Sequence, residues 1–354
     1  MDAKLRNLIK KEHDDDSIDR TIYATTVYIL GFFAILIIAK QYVGDPLQCW
    51  VPAEYIAAWE SYIEKYCFVE NTYYVNKTIP TSHAERKQYE LRYYQWIPYL
   101  LWVQALLCYA PKLIFKLMYS FSDLRVTDLV QLAYRESKQK FEKQTQIGAT
   151  IATKLLTRHG VKVRLHFDWY LTSIYLLMKV LFVVALIIQI LIMNFFVASS
   201  TIFWGLDILM VYLHNFMSYQ RTRLAHYWTL SSCNILINMF AEKIYVFLWL
   251  WIYTLLIVMI LNLFAWMYRT LSMGSKIRMV RDALRLHHTN PSDSEIRKFI
   301  EKFLRLDGVL VLRLIDSNAG YVHMADILYE LWKNYGTNHL QEFEIDGNNK
   351  KVPL

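Results

Sequence analysis

Four windows of roughly 20 residues or more carry almost no charge, and they limit what this chain can fold into more than any other feature. A helix needs about 20 consecutive apolar residues to cross a hydrocarbon core of about 30 Å. The first window, 21–39 (TIYATTVYILGFFAILIIA), has no charged residue. The second, 93–117, contains Pro98 and Pro111 and closes on Lys112 and Lys116. The third, 171–197, carries only Lys179, and the fourth, 244–268, is uncharged between Lys243 and Arg269. Four transmembrane helices are predicted. The first window does not read as a cleavable signal, because it is long, follows Asp14-Asp15-Asp16 and ends at Lys40-Gln41-Tyr42 without small residues.

Composition agrees with a membrane protein. Hydrophobic residues make up 55% and charged residues 20%, and the charge is concentrated between the windows. Ten Gly and seven Pro are too few for a collagen-like or low-complexity chain, and four Cys are too few for a disulfide-dense scaffold. The positions of Lys and Arg set the orientation. Residues 1–20 hold five, Lys112 to Arg164 hold eleven and 269–354 hold thirteen, whereas the two remaining loops hold six and three. Both termini and the central loop are therefore expected on the cytoplasmic side.

This gives a cytoplasmic N-terminal helix (1–20), a first span (21–39), a first extracellular loop (40–92) and a second span (93–117). A cytoplasmic loop (118–170), a third span (171–197), a second extracellular loop (198–243) and a fourth span (244–268) follow. The chain ends in a cytoplasmic helical region, 269–354. Cys49, Cys67 and Cys233 then lie outside, where disulfides persist, and only Cys108 falls in a span. Asn76-Lys77-Thr78 is a glycosylation sequon in the first outer loop.

Catalytic and cofactor signals are missing. There is no Gly-rich phosphate loop, HExxH, paired CxxC or GxSxG, so an enzyme is disfavoured and no cofactor is expected. Asp14-Asp15-Asp16 lacks the alternation and Gly of a calcium loop and reads as a solvated acidic run. The adjacent His287-His288 pair reads as exposed tail residues, because neighbours on a helix point in different directions. Four spans are few for a secondary transporter, and no span has the spaced Arg or Lys of a voltage sensor. Lys179 either snorkels or hydrogen-bonds a neighbouring helix, against the sharper alternative of a place in a conduction path. Gln189 and Asn194 are expected to bond neighbouring helices. Pro98 and Pro111 each remove a backbone donor and can bend the second span. Tyr93, Tyr94, Trp96, Tyr99 and Trp102 suit an aromatic belt.

Tyr93-Tyr94-Gln95-Trp96-Ile97-Pro98 resembles the YYQW signature that opens the second span of innexins, the invertebrate gap-junction proteins related to pannexins. The segment from Gly44 to Pro52 (GDPLQCWVP) and the entry to the fourth window at Asn238–Trp251 are similar to the same family. So are Leu306–Ile315 and Leu331-Trp332-Lys333-Asn334-Tyr335 in the tail. The resemblance runs in order along nearly the whole chain. It implies an all-α membrane protein with four transmembrane helices per subunit, cytoplasmic termini, a helical cytoplasmic dome and a ring-shaped oligomer. The function implied is a large-pore channel at the plasma membrane, passing ions and small metabolites. Its partners would be innexin subunits in a homo- or hetero-oligomer, and a hemichannel docked from the adjacent cell.

Two alternatives accompany that reading: an undocked hemichannel, and a non-conducting subunit that modifies other innexins. One departure bears on docking. The family usually has two cysteines in each outer loop, but the second loop here has only Cys233. The family's order implies a Cys49–Cys233 bond and leaves Cys67 unpaired or with another partner. In the N-terminal segment Leu5, Leu8 and Ile9 share one helical face, with Asn7, Lys10 and Asp14 roughly opposite. The resemblance makes Asn7, Lys10 and Asp14 pore-lining candidates; a short amphipathic helix on the inner membrane surface is the other reading. In the tail, Ile296, Ile300, Phe303 and Leu304 recur at helical spacing, and Pro291–Glu295 reads as a turn and helix start. The basic excess near the membrane would attract anionic lipids; nucleic acid is not expected, because Asp and Glu are interspersed and no recognition motif is present.

Overall fold

A computed structural model describes residues 15–43, 47–49, 54–69, 72–73, 90–91, 94–119, 130, 169–197, 203–210 and 233–349. Four of its helices are long and apolar enough to cross a membrane: Ser17–Tyr42, Ile97–Met118, Tyr170–Phe196 and Lys243–Leu271. We label the first α1 (Ser17–Tyr42), then α2 (Ala57–Val69), α3 (Ile97–Tyr119), α4 (Tyr170–Val197) and α5 (Leu236–Leu271). The tail adds α6 (Met273–Arg285), α7 (Asp293–Phe299), α8 (Arg305–Ala319) and α9 (Tyr321–Asn349). The architecture is an all-α, four-span helical bundle. Two short antiparallel ladders supplement it, β1 (Leu47–Cys49) with β4 (Cys233–Ile235) and β2 (Thr72–Tyr73) with β3 (Glu90–Leu91).

The helices follow from what water-free surroundings demand: every backbone donor and acceptor must be satisfied within the segment. At 1.5 Å per residue, the 36 residues of α5 make a helix about 54 Å long, well beyond the thickness of a hydrocarbon core. In α1 the α-helical ladder is interrupted by a π-helical turn at Thr21–Thr25. Thr26 Oγ1 donates to the Thr21 carbonyl at 3.0 Å, five residues back, which matches that wider turn. Pro111 lies inside α3, whereas Pro98 is the second residue of that helix. The expected bend at Pro98 is thus corrected: in a first turn the missing N–H has no helical acceptor to lose.

The chain divides into two compact units. One comprises Thr21–Pro111 and Phe182–Val258. Its interior includes Leu30, Ala34, Ile97, Leu101, Phe182, Leu186, Leu248 and Ile252, all fully buried. A helical segment at 204–210 packs there, with Trp204 and Trp249 ring centroids 6.2 Å apart. Gly205 is required at this crossing, since an added Cβ would lie 2.4 Å from the Trp249 ring. Gln189 Nε2 donates to the Gln104 carbonyl and to Cys108 Sγ, each at 2.8 Å, as expected for an inter-helix bond. Asn194 departs from that expectation: its Oδ1 is buried and has no partner among the described residues.

The other unit comprises Met1–Arg20, Lys112–Leu181 and Met259–Leu354. Here α6 to α9 pack around Val280, Leu284, Ile296, Phe299, Val309, Leu312, Ile315 and Leu328. Ile296, Ile300 and Leu304 are buried as their spacing predicts. Phe299 meets Trp332 and Tyr335 edge-on, with centroids 5.0 and 5.2 Å away. The helix start predicted at Pro291–Glu295 is a capping box: the Ser292 side chain accepts from the Glu295 backbone N–H, and the Glu295 side chain accepts from that of Ser292.

Candidate functional site

The most chemically distinctive place in the described structure is a buried charge network at the start of α1. Asp15 and Asp19 are fully buried, and so is Lys179; Lys112 is 1% exposed. A carboxylate or ammonium is rarely buried unless it is paired. Lys179 Nζ, from an otherwise uncharged helix, donates to both oxygens of Asp19 at 2.9 and 2.8 Å. Its third contact is Asn262 Oδ1, at 2.8 Å. Tyr175 OH also donates to Asp19, at 3.3 Å. The ammonium lies 5.0 Å from the Tyr175 ring centroid and 5.3 Å from that of Trp266, within cation–π range.

Asp15 is held by two cations, Lys112 Nζ at 3.0 Å and Arg20 Nη2 at 2.9 Å. Asn318 of α8 donates to the Asp15 carbonyl at 3.0 Å and accepts from Arg20 at 3.3 Å. Asp16 accepts from Asn262 Nδ2 at 2.7 Å and from Trp266 Nε1 at 3.0 Å. Burial pushes the Asp16 carboxyl up, but these two hydrogen bonds and the nearby Lys179 charge outweigh it, so its pKa lies below the ordinary value. Three carboxylates face three cations, so the network buries no net charge. Five segments contribute: the first turn of α1 with the residues preceding it, α3, α4, α5 and α8.

A second polar lock lies in the same unit. Asp307 of α8 is buried and accepts from the backbone N–H groups of Leu171 (3.3 Å) and Thr172 (2.9 Å). It also accepts from Thr172 Oγ1 at 2.8 Å. These N–H groups open α4 and have no acceptor within it, so a carboxylate from 135 residues away supplies their cap.

Several expectations are corrected here. The acidic run read as solvated contains Asp15, which is interior, and Asp16, which is hydrogen-bonded. Lys179 takes the inter-helix alternative and not the snorkelling one: Asp19 lies within reach, so the ammonium need not return to water. His287 is not a freely exposed tail residue. It stacks on Tyr329 with centroids 4.4 Å apart and its Nε2 lies 3.1 Å from Asp326 Oδ1, while His288 is exposed. Among the described residues no group of His, Cys, Asp and Glu could hold a metal ion.

Two comparisons with known proteins decide the family. The innexin family model matches residues 15–227 and 215–335. Innexin unc-9 of Caenorhabditis elegans is 33% identical, covering 92% of this chain and 93% of its own length. Innexin-16 of the same organism is 32% identical over 93% of this chain and 91% of its own. Innexin-3, also of C. elegans, is 31% identical over 99% of this chain and 91% of its own. The chain belongs to the innexin family. It is accordingly a multi-pass protein of the plasma membrane and its junctions.

Within this innexin the opening motif of α3 has a visible structural use. Gln95 Nε2 donates to the Phe68 carbonyl at 2.8 Å, tying a short 3-10 turn at Tyr94–Trp96 to the end of α2. Pro98 is buried in the first turn of α3, and Trp96 is exposed. Tyr93 lies outside the described residues, and Tyr94 is described only in its backbone. Asn7, Lys10, Asp14 and the sequon at Asn76 also lie outside them. Cys49 and Cys233 are direct partners in the β1–β4 register, while Cys67 lies in α2. Cys108 is a buried free thiol in α3.

The charge network went unread in the sequence, yet a signal for it exists. A single Lys inside an apolar window needs a buried anion, and Asp15, Asp16 and Asp19 immediately precede or begin the first span. Positions 15 and 19, and 16 and 19, fall on one face of a helix. What the spacing does not contain is which helix brings the cation.

Proposed function

We propose that this chain is a pore-forming subunit of a gap-junction channel that passes ions and small metabolites between cells. The observation carrying this reading is the innexin family match across residues 15–335, on a chain with four helices able to span a membrane. On this reading the termini and central loop face the cytoplasm, in keeping with the Lys and Arg distribution. The tail helices then form part of a cytoplasmic dome, and several subunits surround one axis. Asn7, Lys10 and Asp14 line the pore entrance, where each charge is repeated by every subunit.

Docking would use the two outer loops. The Cys49–Cys233 register supports a bond between them, since directly opposed antiparallel residues lie about 4.5–5.5 Å apart at Cα, inside the range for disulfides. Cys67 keeps a free thiol or finds another partner, and Asn76 is the glycosylation candidate. The short second loop, with its single cysteine, favours one rival, an undocked hemichannel releasing small molecules outward.

Junctional conductance between paired cells that both express only this chain is the test. Coupling above that of pairs lacking the chain is expected. Surface expression and dye uptake without coupling would replace the gap junction by the hemichannel. Surface expression with neither would leave a subunit that acts only with other innexins.

A further inference from the structure

The junction between α5 and α6 has the makings of an anion site. Ser272 alone separates the end of α5 from the start of α6, and it is extended (φ −68°, ψ 122°). No side chain caps α6. The N–H groups of Met273, Gly274 and Ser275 have no acceptor among the described residues. Such a turn favours negative charge, through both its free donors and the helix dipole.

What makes this turn unlike an ordinary helix start is the set of cations around it. Lys276, in the same turn, is only 6% exposed and has no hydrogen-bond or ion-pair partner among the described residues. Arg313 of α8 reaches in, donating through Nη2 to Ser275 Oγ at 3.0 Å and to the Arg269 carbonyl at 2.9 Å. Its Nε is buried and has no partner among the described residues. Burial, and then the charge of Arg313, lowers the Lys276 pKa; burial, and then the charge of Arg269, lowers that of Arg313. Asp316 is the carboxylate that offsets these charges at Arg313, and its own pKa is raised by burial. Among the described residues, Asp316 thus offsets Arg313 and Arg269, while Lys276 feels only the like charge of Arg313, in contrast to the paired network at α1. There is room as well: Gly274 is exposed, and a Cβ added to it would meet only Ser272 Oγ, at 3.9 Å.

We propose that the first turn of α6, with Lys276, Arg313 and Arg269, binds a phosphate group. A phosphate supplies the acceptors that this turn and Lys276 lack, and its charge offsets the crowding of like charges. The turn begins within two residues of the end of a membrane-spanning helix, which favours the phosphate of an anionic lipid headgroup over a soluble one. The site does not depend on whether the channel docks.

The full chain, purified in detergent, tests this by its thermal unfolding midpoint. It would be titrated separately with short-chain phosphatidic acid, inorganic phosphate and short-chain phosphatidylcholine as the zwitterionic control. Phosphatidic acid is expected to raise the midpoint by about 2–4 °C at about ten times its Kd. In Lys276→Met the rise should vanish, while the midpoint without ligand stays close to wild type, because Lys276 has no hydrogen bond or ion pair among the described residues to lose. Arg269→Gln, an exposed position, should weaken binding by about tenfold without affecting folding. A rise with inorganic phosphate as well would assign the site to soluble phosphate. A wild type that responds to phosphatidic acid no more than to phosphatidylcholine, or an unaltered response in both variants, would overturn the proposal.

Discussion

The two units of this innexin bury polar groups in opposite ways. In the unit built from Met1–Arg20, Lys112–Leu181 and Met259–Leu354, full charges are buried, and those at the start of α1 are paired: Asp19 with Lys179, and Asp15 with Lys112 and Arg20. In the unit built from Thr21–Pro111 and Phe182–Val258, the buried polar residues among those described are neutral: Thr26, Gln41, Gln104 and Gln189. The second unit also leaves Gln104 Nε2 and Oε1 and Gln189 Oε1 without partners among the described residues. A neutral amide short of a bond costs about 1–3 kcal/mol, whereas a buried charge stripped of its partner costs several. The charged network therefore tolerates few alternative packings, and it fixes how the start of α1 meets four other segments. The neutral unit gains mainly from shape, as at Gly205 beneath Trp249.

The sharpest way to break this contrast is Lys179→Met. It leaves Asp19 buried without its cation and should destabilise the chain by about 3–5 kcal/mol, measured by unfolding in mixed micelles. The double variant Asp19→Leu/Lys179→Met should recover most of that loss. A double variant no more stable than Lys179→Met alone would mean that the pair is not the source of the effect.

A smaller effect is expected from pH through Asp16. Its folded pKa lies below the ordinary 3.8, so its stabilising effect is complete above that value and is lost as pH falls through the folded pKa. Wild type should thus lose stability in acid below about pH 4, and Asp16→Asn should lose less over the same window. Equal acid slopes in the two proteins would show that Asp16 does not sense its bonds from Asn262 and Trp266. The smallest effect belongs to the neutral unit. Gln189→Leu removes the bonds to Gln104 and Cys108 but strands no charge, so a change of about 0.6 kcal/mol is expected. A loss comparable to that of Lys179→Met would erase the distinction between the units.

Much of this fold could be read from the sequence, for a definite reason. A bilayer imposes a length and a polarity on each spanning segment, and both are local properties of the chain. The capping box at Ser292 and Glu295 and the apolar stripe of Ile296, Ile300 and Leu304 were legible on the same grounds, since all the participants lie within one short run of chain. The innexin motifs were likewise written in residue order. The charge network was not. Asp15 and Asp16 look like a solvated run because their partners lie 97 residues away at Lys112 and 246 away at Asn262.

The sequence by itself determined four apolar spans, their helical form and the family that carries them, because hydropathy, periodicity and motif order need no knowledge of distant contacts. Only the tertiary structure decided that Lys179 meets Asp19, that Asp307 caps α4 from the tail, and that Lys276 has no ion-pair partner among the described residues. The same residue types, Asp and Lys, occur at each place. Whether such a charge is solvated, paired or buried without a partner depends on which other segment folds against it, and no local stretch of chain records that.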